Sequence, residues 1–283
     1  MPEPIPWPVP VVEGFAPVPG ARLCYWDTGG DGEPLILCHP ASQSSQIWQH
    51  QQHAFAEAGY RVIAYSRRGH HRSERGSEED RGTLVGDLAS LLEHLGVNKA
   101  HVLGAAAGGI TAMGFAIAHP ACVMSLVLAG TIVAPEEEEW RTLYRRLGLA
   151  HVRDRVPTEF LELGPSYRAA NPDGVARFVA LERASKPGGV FHQPLGVRVD
   201  WAAMQRLQVS VLLLTGEADL YAPPPLQRML AEHLPKREIV TLREVGHAPY
   251  WEAPAEFNRK VLEFLRRNPD HVFGASSKHP AAG

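Results

Sequence analysis

The stretch 100–118 constrains the fold of this chain more than any other. Its first residues, 101–103, form a short apolar run that is typical of a buried strand. Gly104, Gly108 and Gly109 follow, and a run of small residues then leads to His119 and Pro120, where a helix would end. The sequence therefore predicts a strand, a tight glycine turn and a helix in direct succession.

A turn of this kind carries the nucleophilic serine of many enzymes in the pattern Gly-x-Ser-x-Gly. Residues 104–108 read Gly-Ala-Ala-Ala-Gly, so both glycines are present while Ala106 occupies the position of the serine. Alanine has no nucleophilic atom. Loss of the equivalent serine in a well-studied protease lowers turnover by roughly a million-fold, which corresponds to about 8 kcal/mol of barrier.

Strand and helix patterns alternate on both sides of this turn. Apolar runs typical of buried strands lie at 34–38, 61–65, 125–129, 211–215 and 238–242. The alternation predicts an α/β fold with a mostly parallel sheet of eight-strand type and helices on both faces. It stops between 131 and 208, which predicts a helical cap over the C-terminal edge of the sheet.

The predicted organisation therefore has four parts. They are an extended N-terminal arm at 1–19, a core made of 20–130 and 209–267, the helical cap at 131–208, and a flexible tail at 268–283.

Composition and charge exclude several classes of partner. A net charge of −3 gives no strong field toward nucleic acid or an anionic membrane. The three cysteines show neither metal-ligand spacing nor a disulfide framework, which favours a cytoplasmic location. No acidic residue follows the glycines of 104–109 at the distance that a dinucleotide site requires. We predict a small-molecule substrate, no metal, no cofactor and no nucleic-acid or membrane partner, and we leave a homodimer open.

Five motifs resemble, in their order along the chain, those of the α/β-hydrolase superfamily and its capped esterase and lactonase members. They are His39-Pro40 with Trp48 downstream, the loop 66–73 (Ser-Arg-Arg-Gly-His-His-Arg-Ser), the turn at 104–108, Thr215-Gly-Glu-Ala-Asp219, and Gly246-His247. The order of nucleophile position, acid and base is that of this fold. The resemblance extends from about residue 20 to 266.

The resemblance implies roles for particular residues. Asp219 would orient His247, which would act as the catalytic base. The backbone N–H groups of Ala41 and Ala107 would form an oxyanion hole, which depends on no side chain and therefore survives the loss of a serine at Ala106. Further candidates for the pocket are His39, Ser42, Tyr167, His192 and Trp251.

The sequence also departs from the family pattern. Pro40 replaces a glycine and removes one backbone donor, His71 replaces a second glycine, and Ser66 replaces an aspartate. Ala106 is either an engineered replacement in a serine esterase or lactonase, or a native residue. We favour a native alanine, because several family features have changed together.

A native alanine leaves three functions open. They are attack on a carbonyl by a water molecule that His247 activates, proton-transfer chemistry of the lyase or isomerase kind, and ligand binding without turnover. We expect an enzyme that hydrolyses a small carboxylic ester or lactone, or that uses His247 for water or proton chemistry without a serine nucleophile.

Overall fold

A computed structural model describes residues 9–77, 79–133, 135–147, 155–189 and 191–269 of the chain. Its strands are β1 (Val12–Val18), β2 (Ala21–Asp27), β3 (Pro34–Cys38), β4 (Arg61–Tyr65), β5 (Ala100–Ala105), β6 (Val123–Ala129), β7 (Ser210–Gly216) and β8 (Arg237–Leu242). Its helices are α1 (Gln49–Glu57), α2 (Leu84–His94), α3 (Ala107–Ala118), α4 (Glu138–Leu147), α5 (Thr158–Glu162), α6 (Pro165–Ala170), α7 (Pro172–Ser185), α8 (Trp201–Gln205), α9 (Pro224–Glu232), α10 (Pro249–Glu252) and α11 (Pro254–Arg266).

The eight strands form one sheet in the order β1-β2-β4-β3-β5-β6-β7-β8. β1 pairs antiparallel with β2, and β2 pairs antiparallel with β4. Every neighbouring pair from β4 to β8 is parallel. The strand order reverses between β3 and β5, because β4 lies outside β3 while β6 lies outside β5. A crevice at the carboxyl ends of the strands opens at such a reversal, so the loops after β3 and β5 are placed to bind a ligand.

Two hydrophobic clusters hold the helices on opposite faces of the sheet. One cluster joins the sheet to α2, α3 and α9, and the other joins it to α1, α10 and α11. The central strands β3 and β5 are buried along their whole length, as their continuous apolar runs predict. The predicted fold, a mostly parallel eight-stranded sheet with helices on both faces, is confirmed.

The boundary of the predicted N-terminal arm needs a correction. β1 lies inside the range 1–19, and it pairs with β2 over its full length, from Val12 opposite Asp27 to Val18 opposite Ala21. The backbone hydrogen bonds of this ladder fix the segment to the sheet. Residues 12–18 thus belong to the core. Residues 1–8, and the predicted tail from residue 270 onward, lie outside the described residues.

The helices α4 to α8 all lie between β6 and β7, in the segment where the sequence predicts a cap. Within this segment α5 and α6 both pack on α7, while α4 packs on α9 of the core. No described helix combines the length and the apolar character that a membrane span requires.

Candidate active site

Ala106 occupies a strained turn between β5 and α3. Its φ of 49° and ψ of −118° lie outside the regions that an L-residue ordinarily adopts. Such a backbone costs on the order of 1–3 kcal/mol, so the surroundings must hold it in place. The Ala106 N–H donates to the carbonyl of Ala129 at 2.9 Å, and the Thr131 hydroxyl donates to the Ala106 carbonyl at 2.6 Å.

The two glycines of the turn are required by close contacts of the backbone. A Cβ atom on Gly108 would lie 2.0 Å from the carbonyl oxygen of Cys38, and one on Gly104 would lie 2.4 Å from the carbonyl oxygen of Gly108. Both distances are far below van der Waals contact. The glycine pattern therefore lets α3 approach β3 and β5 closely, which projects residue 106 above the sheet.

Asp219 and His247 form a buried hydrogen-bonded pair. Asp219 follows β7 and His247 follows β8, and the imidazole Nδ1–H donates to the two carboxylate oxygens at 2.9 and 3.0 Å. Oδ1 of Asp219 also accepts the backbone N–H groups of Tyr221 and Ala222 at 2.8 and 2.9 Å. These two N–H groups fix the position of the carboxylate. The carboxylate in turn fixes the imidazole tautomer that carries its hydrogen on Nδ1, which leaves Nε2 as a proton acceptor.

The charges around His247 favour its protonated form. Burial lowers the pKa of His247, but the negative charge of Asp219, the hydrogen bond to it, and the charges of Glu162 and Glu252 together raise the pKa above its ordinary value. A base of this kind holds a transferred proton well, and it is in its neutral, accepting form only above that raised pKa.

The two backbone N–H groups predicted to form an oxyanion hole belong to Ala41 and Ala107. Ala107 is the first residue of α3, so its N–H has no acceptor inside the helix. The Pro40 carbonyl accepts from the His39 ring at 2.7 Å and from the Gln43 N–H at 3.2 Å. No cis peptide bond occurs in the described residues, so the N–H of Ala41 points away from that carbonyl.

One cavity of about 350 Å³ brings these groups together. Of the predicted site residues, Ala41, Ser42, Ala106, Ala107 and His247 line it. Asp219 lies behind His247 and is 2% exposed. The remaining lining residues are Pro40, Ile110, Gly130, Ile132, Tyr144, Thr158, Leu161, Glu162, Glu182, Lys186 and Tyr221.

Comparison with known proteins agrees with this fold. The sequence model of the alpha/beta hydrolase fold matches residues 33–254. The chain belongs to the α/β-hydrolase family.

Three similar proteins illustrate the range of this family. A 2-hydroxy-6-oxononadienedioate/2-hydroxy-6-oxononatrienedioate hydrolase of Burkholderia vietnamiensis is 28% identical over 273 residues, which cover 87% of this chain and 91% of that protein. A thermophilic esterase from Thermogutta terrifontis is 26% identical with a TM-score of 0.73, covering 92% of this chain and 99% of that one. The enol-lactonase from Burkholderia xenovorans has a TM-score of 0.72 at 21% identity, covering 89% and 100%; this likeness is one of fold.

Four predicted pocket residues of this α/β-hydrolase chain do not line the cavity. His39 is buried, and its ring contacts the Pro40 carbonyl. Trp251 is buried, and its indole N–H donates to a carbonyl of α7 at 3.2 Å. Tyr167 on α6 packs against the same apolar cluster as Trp251. His192 has an exposed side chain. His39, Trp251 and Tyr167 are absent from the cavity because they pack against other parts of the protein. His192 is absent because its side chain faces solvent.

The cap supplies polar residues that the sequence analysis did not predict. Glu162 ends α5, Glu182 lies on α7 and Lys186 follows it, and all three line the cavity. Tyr221 also lines it, with its ring centre 4.7 Å from that of His247. Tyr221 lies only two residues after Asp219, so the motif at 215–219 could have pointed to it. The cap residues belong to no motif, and only the folded chain brings them to the base.

Within the described ranges, no group of three or more His, Cys, Asp or Glu side chains is arranged as a metal site would be.

Proposed function

We propose that the chain hydrolyses a small carboxylic ester or lactone by direct attack of water on the carbonyl group. His247 is the general base in this proposal, Asp219 orients it, and the N–H groups of Ala41 and Ala107 hold the carbonyl oxygen. Ala106 forms no covalent intermediate, and its small side chain leaves room beside the carbonyl for the attacking water.

These groups serve the attack on the carbonyl and the stabilisation of the intermediate. Nε2 of His247 takes a proton from water while the water oxygen bonds to the carbonyl carbon. The resulting oxyanion lies against the amides of Ala41 and Ala107, which are fixed before the reaction begins. Collapse of the intermediate breaks the bond to the leaving oxygen. That oxygen gains one proton for the one that water lost to His247, and the products are an acid and an alcohol.

The observation that carries the proposal is the hydrogen-bonded pair of Asp219 and His247, which opens on the same cavity as Ala106. Burying such a pair costs desolvation energy. A protein that only binds a ligand gains nothing from an oriented base at that cost. The hydrolase of Burkholderia vietnamiensis and the Thermogutta esterase, both above 25% identity, support hydrolysis as the reaction class.

A panel of p-nitrophenyl esters and small lactones tests the proposal with the protein as it stands and with the variants His247→Ala and Ala106→Ser. We expect slow turnover that His247→Ala abolishes, with no acyl adduct on the protein by intact mass spectrometry. We expect Ala106→Ser to form an acyl adduct and to gain rate, up to roughly the million-fold that a serine triad contributes.

Other outcomes favour the alternative functions. Turnover by Ala106→Ser alone would indicate a serine hydrolase in inactive form. A ligand that raises the melting temperature without turnover by any variant would indicate a binding protein. Unchanged ester hydrolysis in His247→Ala would contradict the proposed role of the base.

A further inference from the structure

The cavity contains a second proton-carrying group, the carboxyl of Glu162. Glu162 is the last residue of α5, is only 7% exposed, and lines the cavity with His247. The Ser42 hydroxyl, on the loop after β3, donates to its Oε2 at 2.9 Å. The backbone N–H of His247 donates to the backbone carbonyl of Glu162 at 2.9 Å. Ser42 therefore holds the side chain of Glu162, and His247 holds its backbone.

The surroundings of Glu162 raise the pKa of its carboxyl above the ordinary value. Burial raises the pKa of the carboxyl, and this outweighs the opposing effects of His247, the Ser42 hydroxyl and Lys186, while the charge of Glu182 raises it further. Within the described part of the chain, Glu162 forms no ion pair with a lysine or arginine. The carboxyl thus keeps its proton to a higher pH than an ordinary glutamate.

The proposed reaction needs a proton donor as well as a base. In a serine hydrolase one histidine serves both steps, because it gives the proton of the serine to the leaving group before water enters. When water itself attacks, His247 must face the water, and the leaving oxygen departs on another side of the carbonyl carbon. A separate acid in the same cavity would meet that oxygen.

We propose that Glu162 is the general acid that protonates the leaving oxygen, an inference that rests on the proposed function. Water gives its proton to Nε2 of His247 as its oxygen bonds to the carbonyl carbon. The bond from that carbon to the leaving oxygen then breaks, and the leaving oxygen takes the proton of the Glu162 carboxyl. Transfer of the proton from His247 to the Glu162 carboxylate, through solvent or the Ser42 hydroxyl, restores both groups.

Leaving-group dependence tests this role, because p-nitrophenolate departs without a proton whereas ethoxide does not. The probes are p-nitrophenyl butyrate and ethyl butyrate, and the variants are Glu162→Gln and Glu182→Gln. For Glu162→Gln we expect kcat/KM to fall by about 100-fold or more on the ethyl ester and by less than about threefold on the p-nitrophenyl ester. Glu182→Gln is the matched change on the same cavity. At a pH where Glu162 keeps its proton it should change both esters by the same factor, and it should move the high-pH loss on the ethyl ester to lower pH, because the charge of Glu182 raises the pKa of Glu162.

A second measurement needs no variant. The titratable and hydrogen-bonding side chains around Glu162 are Ser42 after β3, His247 after β8, Tyr250 on α10, and Glu182 and Lys186 on and after α7. Because the acid works only while protonated, kcat/KM for the ethyl ester should fall at high pH, whereas that for the p-nitrophenyl ester should stay level. Both esters should lose rate at low pH as His247 becomes protonated.

Several results would overturn the inference. Equal losses on the two esters in Glu162→Gln would assign the residue a structural role, and no loss on either would remove it from the reaction. An acyl adduct on Ser42 by mass spectrometry would make Glu162 the base of a relocated nucleophile instead. These outcomes leave His247-dependent hydrolysis in place. Absence of ester turnover by the unmodified protein would refute the proposed function together with the inference.

Discussion

Replacement of Asp219 by Asn isolates the orientation of the base from the stability of the fold. Oδ1 of Asp219 accepts two backbone N–H groups, so the amide oxygen of an asparagine takes that place. The amide nitrogen then replaces Oδ2, which lies 3.3 Å from the Thr215 hydroxyl and 3.0 Å from Nδ1 of His247. The hydroxyl already donates to the Ala222 carbonyl at 3.0 Å, so it can accept from the amide. Every polar atom keeps a partner.

The exchange reverses one hydrogen bond with a large effect on catalysis. The amide nitrogen donates to Nδ1 of His247, so the hydrogen of the imidazole moves to Nε2, and Nε2 can no longer accept a proton from water. The equivalent change in a serine protease lowers kcat by about 10⁴-fold, which is about 5.4 kcal/mol of barrier. We expect a loss of that size in Asp219→Asn.

The effect on stability should depend on pH in a defined direction. The folded protein raises the pKa of His247, so the stability from this group is full below the unfolded pKa of about 6.5 and is lost as the pH rises through the folded value. Asn removes the charge that Asp219 contributes to this increase. Asp219→Asn should therefore destabilise the protein more at about pH 6 than at about pH 9.

Three measurements on purified Asp219→Asn check this reasoning. They are kcat/KM on the ester panel, urea unfolding at the two pH values, and ¹⁵N NMR of the imidazole, which reports the tautomer. His247→Ala is the control that removes the base outright. Activity within about tenfold of the unmodified protein, where about 10⁴-fold loss is expected, would refute the assigned role of the pair.

Three further predictions concern stability and reactivity. Glu252→Ala removes the acceptor of three backbone N–H groups around the loop of the base and should cost about 3 kcal/mol in urea unfolding, whereas the loss of an exposed carboxylate would cost little. Asp87→Ala leaves the buried guanidinium of Arg68 without its 2.8 Å partner and should cost about 3–5 kcal/mol; a loss below about 1 kcal/mol would contradict this. Burial raises the pKa of Cys38 to about 12, so a thiol reagent should label the partly exposed Cys122 first, as peptide mapping would show.

The fold was predictable because its signals are local. Continuous apolar runs mark β3 and β5, and the glycines of 104–108 mark the turn that follows β5. The motifs also predict Asp219 and His247, since each lies in the loop that follows a strand, β7 for Asp219 and β8 for His247. The structure places Nδ1 of His247 2.9 Å from Oδ1 of Asp219, although the two residues are 28 positions apart in the sequence.

The polar residues of the cap were not predictable in the same way. Glu162 is held at the cavity because its backbone carbonyl accepts from the N–H of His247. The two residues are 85 positions apart in the sequence, and no periodicity in the sequence predicts their contact. His39 and Trp251 failed as pocket residues for the opposite reason. Both residues lie next to motifs of the predicted site, but their side chains turn into the core. Position along the chain does not fix the direction of a side chain in a loop.

The contacts of the cap limit how a ligand can reach Ala106. The backbone of Glu162 accepts from His247, and the carboxylate of Glu252 accepts from Gly164 of the cap at 2.7 Å and from Gly246 at 2.9 Å. The end of α5 is thus bonded to the chain at His247 and, through Glu252, at Gly246, so movement at that end would displace His247.

A second cavity, of about 420 Å³, lies beside the first. It shares Thr158, Glu182 and Lys186 with the first, so the two cavities meet between α5 and α7. A ligand that entered through this junction would leave His247 in place, and it would pass the charged side chains of Glu182 and Lys186 before it met Glu162.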